Sequence, residues 1–472
     1  MSLNDTIAAI STPVGEGGIG IVRASGPAAL GIAAAVFVPA ARGAKTGTRP
    51  VELELDIEER RFYYGRVVDN NGGTLDNGLL VYMKGPASYT GLDTIELHCH
   101  GGALVLKEVL AAVLAAGARP AGPGEFTRLA FINGKLDLAQ AEAVIDVIRA
   151  ETASALASAR GRLDGVFSSK VRKICDGLVD MLAGIEAGLD FPEDEVSEDA
   201  GLGAGLIEAG SALKRLIDTF EEGRSLRDGV RVLILGRPNV GKSSLLNILL
   251  QEERAIVTPV PGTTRDVIEQ SVNIRGIPIR LMDTAGLREA LDPIEAVGVR
   301  MARERVAEAD LILFVIDVTD FTREDKELLD IAEGRRLLIV ANKMDIAAPG
   351  TVEAVVKTAS GHKTVFISAL TSEGIEGLKD AIYEAAAGRP FGTPGHAVLG
   401  ELTVSVRHRD ALTKAFEAVG RAAKAVEPDA KAPMECVAAD IRAGLAVLGE
   451  ITGQTATEDI LDRIFEKFCI GK

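Results

Sequence analysis

Tryptophan is absent from this chain, and aromatic residues of all kinds make up only 4% of it. Apolar residues still reach 47% of the 472 positions, ample for sizeable cores, and the length suggests about three domains. Cysteine is scarce. Cys99, Cys175, Cys436 and Cys469 show no paired spacing, which argues against a disulfide framework and for free thiols in a reducing, cytoplasmic setting. No long hydrophobic run is present. The longest apolar stretch, Ala28 to Ala41, is broken by Gly31 and Pro39 and is shorter than the ~20 residues a membrane span needs. The N-terminus lacks a basic segment followed by an apolar one, so no signal peptide is expected. Positive charge is not in excess either. A formal net charge of −16 argues against a broadly basic nucleic-acid coat and leaves any RNA contact to a local patch. The sequence contains neither an internal repeat nor a low-complexity segment.

What the chain does carry is Gly236-Arg237-Pro238-Asn239-Val240-Gly241-Lys242-Ser243-Ser244, directly after the apolar run Val232-Leu233-Ile234-Leu235. The spacing fits G-x-x-x-x-G-K-[ST]: a buried strand, a glycine-rich loop and a helix opening at Ser244. Gly236 and Gly241 let backbone N–H groups from Asn239 to Ser244 curl around phosphate oxygens. Lys242 reaches the outer phosphates, and the Ser243 hydroxyl is suited to Mg²⁺. The helix N-terminus adds partial positive charge.

Further motifs follow in order, each at a strand end. Asp283-Thr284-Ala285-Gly286 follows Pro278–Met282, where an Asp can hold Mg²⁺ through water and the Gly N–H can meet a γ-phosphate. Asn342-Lys343-Met344-Asp345 follows Arg336–Val340. Asp345 is placed to accept from guanine N1–H and N2–H₂, a donor pair adenine lacks, so GTP is expected over ATP. Ser368-Ala369-Leu370 follows Thr364–Ile367 and is expected to close over the base. Residues from about 228 to 388 thus resemble the translation-factor-like class of small GTPase domains.

The catalytic positions are less ordinary. Leu287 stands where Ras-like enzymes carry a water-positioning Gln, so another group must orient the water. The loop from Arg288 to Glu295 offers carboxylates, though such a run also reads as a solvated acidic loop. In Thr258-Pro259-Val260-Pro261-Gly262-Thr263-Thr264-Arg265-Asp266, Thr264 is the natural second Mg²⁺ ligand, and Pro259 and Pro261 restrict the backbone. An amide oxygen at Asn239 suits a monovalent cation beside the phosphates, supplying the charge an arginine finger supplies elsewhere.

The pattern G-R-P-N-x-G-K-S-S-L-L-N, with G-T-T-R-D and D-T-A-G-L-R, resembles the potassium-dependent GTPases of the Era/Der/MnmE group. The closing Phe465-Glu466-Lys467-Phe468-Cys469-Ile470-Gly471-Lys472 is similar to the F-C-I-G-K signature of the MnmE (TrmE) family of tRNA-modification GTPases. Asp5-Thr6-Ile7, Gly17 to Arg23, Pro123 to Thr127 and Lys135 to Glu142 extend the resemblance over essentially the whole chain. It implies a K⁺-dependent GTPase that works with the flavoprotein MnmG (GidA) in a heterotetramer. Together they add an aminomethyl or carboxymethylaminomethyl group to C5 of the wobble uridine of certain tRNAs. It also implies a folate donor, 5-formyl- or methylene-tetrahydrofolate, bound by the N-terminal domain. Arg23, Glu96 and Lys135, joined by Lys472, are the residues carried over as folate contacts. Glu295 matches the position that orients water. Asn239, Thr258, Val260 (through its carbonyl) and Thr263 match the K⁺ positions. The resemblance further implies a homodimer formed through the N-terminal domain, whose GTPase domains meet when GTP and K⁺ bind.

The expected fold class is multidomain α/β plus α. Residues 1–130 form the folate-binding-like and dimerisation domain, with strands at Thr6–Ser11, Gly20–Ala24 and Gly78–Met83 and a helix at Ala103–Ala116. Residues 131–226 are the first part of a helical domain, with helical patterns over Lys135–Leu189 and Ala204–Arg227. The GTPase domain, 227–389, is inserted there. Residues 390–472 complete the helical domain, and Gly388–Gly395 reads as the exit linker.

Four other features each carry a bland reading beside a functional one. Gly15-Glu16-Gly17-Gly18-Ile19-Gly20 fits a dinucleotide fingerprint formally, but a strand follows where that fingerprint needs a helix. His98 and His100 share one face of a strand, yet no further ligand is near in sequence, and a metal site is not expected. Cys469 suits either a nucleophile or a packing role for the last helix, and the sequence leaves both open. Arg407, Arg409, Lys414, Arg421 and Lys424 offer phosphate contacts for tRNA, or merely solvated helix faces. The alternative function is an Era-like GTPase of ribosome assembly, and a membrane-remodelling role lacks any membrane-binding segment.

Overall fold

The structure, a computed structural model, describes residues 5–13, 15–40, 57–190, 201–252, 270–282, 303–348, 350–352, 361–388, 404–427, 429–430 and 432–472. It divides into two compact units: Met1–Ile145 with Thr452–Lys472, and Asp146–Ile451.

In the first unit the strands β1 (Ile7–Ile10), β2 (Gly17–Ser25), β3 (Phe37–Pro39), β4 (Phe62–Val68), β5 (Thr74–Met83), β6 (Thr94–Gly101) and β7 (Arg119–Pro120) form one sheet. Its order is β3-β4-β5-β6-β2-β1-β7, antiparallel except where β1 meets β7. Side-chain alternation sorts β6 into two faces. Ile95, Leu97 and Cys99 point into a core shared with helices α1 (Ala29–Val36) and α2 (Ala103–Ala115). Glu96 and His98 face the other way. β2 extends through Gly17, so the fingerprint-like glycines lie at the start of a strand. Helices α3 (Glu125–Ile132) and α4 (Leu138–Arg149) follow. Against them Leu138 and Ala141 pack with Leu461, Ile464, Phe465 and Phe468 of the terminal segment.

The second unit opens with α5 (Ala153–Leu163), α6 (Val166–Asp190), α7 (Leu202–Asp218) and α8 (Phe220–Asp228). The single helical pattern expected over Lys135–Leu189 is therefore three helices. Thr152 ends the first gap by accepting Ala155 N–H at 3.1 Å as an N-cap, and Gly165, at φ +81°, makes the second break. The run Ala204–Arg227 likewise divides at Thr219, whose hydroxyl bonds back to Leu216 O at 2.7 Å.

The chain then enters a sheet of β8 (Val230–Leu235), β9 (Gln270–Ile274), β10 (Ile277–Met282), β11 (Leu311–Asp317), β12 (Leu337–Asn342) and β13 (Lys363–Phe366). Its order is β13-β12-β11-β8-β10-β9, parallel apart from the β9–β10 hairpin. Every residue of β11 is buried, as expected for a central parallel strand covered on both faces. Covering helices include α9 (Lys242–Glu252), α10 (Arg323–Ile331) and α11 (Ile375–Ala387). Strand order reverses across β8. Open parallel sheets bind ligands at the C-terminal ends of their strands at such a point, and the glycine-rich loop leaves β8 there. Helices α12 (Val406–Ala425) and α13 (Met434–Thr452) return to the α5–α8 layer, where Phe167 of α6 lies 5.0 Å from the His408 ring of α12. No helix among the described residues is long and apolar enough to cross a membrane.

Candidate functional site

The glycine-rich loop needs its glycines. Gly236 has φ +150° and Gly241 φ +104°. A Cβ at Gly236 would sit 2.2 Å from Val315 O, and one at Gly241 would sit 2.1 Å from Asn342 Nδ2. Between them Asn239 is left-handed at φ +66°. Lys242 Nζ donates to Gly236 O at 2.6 Å and Arg237 O at 2.5 Å. α9 begins at Lys242, so its first-turn N–H groups and the exposed Ser243 stand at the loop's mouth. This cradle of glycines, amides and one ammonium fits the phosphates of a nucleotide.

The base-side motifs meet the same loop. Buried Asn342 donates its amide to Val240 O at 2.8 Å, and its oxygen accepts Ala369 N–H at 2.9 Å. Lys343, left-handed at φ +69°, pairs with Asp317 Oδ2 at 2.6 Å. Burial alone would raise the Asp317 carboxyl. Hydrogen bonds from Lys343 and Thr319 outweigh it and hold the group below its ordinary value. Asp345 is exposed and accepts from the buried Ser368 hydroxyl at 2.6 Å, while Leu370 stands open to solvent. The structure therefore brings Asn239–Ser244, Asn342–Asp345 and Ser368–Leu370 to one rim. Thr258, Val260, Thr263, Thr264, Asp283, Thr284, Ala285, Gly286 and Glu295 lie outside the described residues.

A second cluster sits on the N-terminal sheet. Arg23 and Glu96 are register partners on β2 and β6, and Arg23 Nη2 lies 2.7 Å from Glu96 Oε1. His98 Nε2 is 3.1 Å from Glu96 Oε2. The C-terminal tail arrives at the same place. Ile470 bridges Pro123, and Gly471, at φ +95°, lies so close to β1 that a Cβ would be 2.3 Å from Ile10 O. Burial lowers the Lys472 ammonium from its ordinary value and Arg23 adds to this, while Glu96 and Cys469 oppose it. Lys135 donates to Pro86 O at 2.9 Å. Among the described residues no hydrogen bond ties it to the Arg23–Glu96 pair. Cys469 is exposed, so Phe465 and Phe468, not Cys469, pack the last helix. His100 is taken by Asp76, Nδ1 to Oδ1 at 2.7 Å.

Comparison with known proteins places the whole chain in one family. Residues 138–469 match the MnmE helical domain, and residues 6–135 match the N-terminus of the GTP-binding protein TrmE. The chain is 47% identical over 483 aligned residues to the tRNA modification GTPase MnmE of Geobacter metallireducens, covering all of both chains. It is 46% identical over 477 residues to that of Geobacter sulfurreducens, again end to end. The chain belongs to the MnmE family.

In this MnmE-family chain two residues stand out that the motifs did not assign. Asp317 orients Lys343, and Arg237 reaches away from the loop toward α10. Arg237 lies within the glycine-rich motif and Asp317 at the end of β11, and neither position carries a sequence signal of its role. Of the basic residues on α12, Arg407 caps α13, donating to Glu450 O at 2.7 Å. Arg409 lies over the Phe220 ring at 4.2 Å, and Arg421 pairs with Asp440 at 2.8 Å. Lys414 and Lys424 remain exposed.

Proposed function

We propose that this protein hydrolyses GTP as part of the enzymatic modification of tRNA at the wobble uridine. The observation that carries the reading is Asn342, which ties the phosphate loop to the base-side motifs, in a chain aligned end to end with tRNA modification GTPases. Asp345 selects guanine by accepting two hydrogen bonds. Lys242 and the amides of the Gly236–Ser244 loop hold the phosphates and stabilise charge as the γ-phosphoryl group transfers. Ser243 and Thr264 hold Mg²⁺, which neutralises phosphate charge. Asn239, Thr258, the Val260 carbonyl and Thr263 hold K⁺, and Glu295 orients the attacking water.

On the N-terminal sheet Arg23, Glu96 and Lys472 form the folate site, with Lys135 at its margin. Cations suit the glutamate tail of a 5-formyl- or methylene-tetrahydrofolate, and a carboxylate suits the pterin donors. The protein acts as a homodimer with the flavoprotein MnmG in the cytoplasm. GTP hydrolysis by the full chain, compared in KCl and NaCl, tests the first half of this reading. Hydrolysis faster in KCl and abolished by Lys242→Ala is the expected result. Equal rates in both salts would remove the cation assignment, and hydrolysis surviving in Lys242→Ala would remove the site itself.

A further inference from the structure

The tip of the phosphate loop has no packing of its own. Pro238 and Asn239 are exposed, and Asn239 is left-handed, a conformation that asparagine adopts more readily than other non-glycine residues. The tip is stretched between two fixed points. One is buried Val240, whose carbonyl takes the Asn342 amide. The other is Arg237. Its guanidinium turns away from the nucleotide side. Nη2 donates to Asp320 O, and Nε lies 2.8 Å from Asp325 Oδ2. The second contact is an ion pair rather than an aligned hydrogen bond, and Asp325 is fully buried.

Asp325 is the third residue of α10 and closes its capping box, accepting Thr322 N–H at 2.8 Å. A cap needs only an acceptor there. A buried charge needs a charged partner, and Arg237 is that partner. The Arg237 carbonyl meanwhile accepts Lys242 Nζ at 2.5 Å, and Pro238 fixes the next φ. Anchoring Arg237 therefore sets both the direction of Lys242 and the path into Asn239.

We propose that Arg237 is a positioning residue for GTP hydrolysis, holding the front of the phosphate loop against the start of α10 through the buried Asp325 carboxylate. The proposal rests on the GTPase reading above. It concerns kcat rather than nucleotide retention, because the amides that follow Val240 keep their own anchor in Asn342.

The test uses the full chain. Wild-type hydrolysis that is lost in Lys242→Ala establishes the reaction independently of Arg237. Arg237→Ala is then expected to lower kcat about ten- to a hundredfold, with GDP affinity changed less than about threefold and the melting temperature nearly kept. Asp325→Asn, which retains the cap, should lower kcat in the same way. The double variant Arg237→Ala/Asp325→Asn should fall no further than the worse single, because Asp325 acts on the loop only through Arg237. Arg237→Lys should recover part of the rate. Where Arg237→Ala alone fails to fold with Asp325 unpaired, the double variant, which buries no lone charge, carries the comparison. Wild-type kcat in a folded variant would overturn the proposal. So would a loss of kcat that tracks GDP affinity and melting temperature together, or single effects that multiply in the double variant.

Discussion

The Asn342 amide donates to the Val240 carbonyl at 2.8 Å, while its oxygen receives the Ala369 N–H at 2.9 Å. One buried side chain thus spans the loop after β8 and the loop after β13, and fixes the separation of phosphate and base sites. Asn342→Asp keeps the acceptor but loses the donor, setting a carboxylate against the Val240 carbonyl. Leaving a buried carbonyl unpaired costs about 1–3 kcal/mol. GDP affinity should fall about ten- to a hundredfold on that scale. A fluorescent-GDP titration reads it.

Asp345 accepts from Ser368 at 2.6 Å, which holds its carboxylate at the rim proposed to receive the base edge. Asp345→Asn replaces an acceptor pair with one acceptor and one donor. Guanine then loses a partner and xanthine gains one. Preference should shift from GTP to XTP by about a hundredfold or more, since sites built around hydrogen bonds discriminate strongly. Competition of XTP against labelled GTP measures the shift.

Gly471 carries φ +95° and leaves no room for a Cβ beside Ile10 O. Gly471→Ala should therefore release the tail and draw Lys472 away from Arg23 and Glu96. Hydrogen exchange at the Gly122–Gly124 loop and the β1 edge should speed up, and binding of 5-formyl-tetrahydrofolate should weaken. Cys469→Ser, altered at an exposed side chain, should leave that exchange unchanged.

Glu125 is buried and held by Arg119 at 2.6 Å and by Gly122 N–H at 2.8 Å. Burial raises its carboxyl, but Arg119, Gly122 and Arg128 together bring it below the ordinary 4.5. A carboxyl lowered by folding stabilises fully above that ordinary value and loses the contribution as pH falls through the folded one. Glu125→Gln should cost about 1.5–3 kcal/mol near neutral pH, the range for hydrogen bonds to charged groups. The gap to wild type should close as pH drops below 4.5. Denaturant melts across that window check the sign.

The parallel sheet was legible in part, because β8, β10, β12 and β13 each lead into a motif with its own chemistry, whereas β11, buried throughout, leads into none and was not read. Strands β8, β10, β12 and β13 were read within a residue or two of their observed ends for that reason. Strand β4 was not read. Gly65 interrupts its alternation, and the reason for that glycine is a neighbouring strand, where a Cβ would lie 2.3 Å from Val38 O. Helix breaks at Thr152 and Gly165 were hidden inside an unbroken helical periodicity. The tail's importance was visible in Phe468–Lys472, but its place beside Arg23 and Glu96 is tertiary. The Arg237–Asp325 pair has no local spacing to betray it.

The most direct test of the account is mass spectrometry of wobble nucleosides in bulk tRNA. Cells lacking the protein are compared with the same cells carrying the wild-type chain or Lys242→Ala. The account expects the 5-aminomethyl-type uridine to vanish on deletion, to return with the wild-type chain and to stay absent with Lys242→Ala. Full restoration by Lys242→Ala, or an unchanged nucleoside profile on deletion, would contradict it.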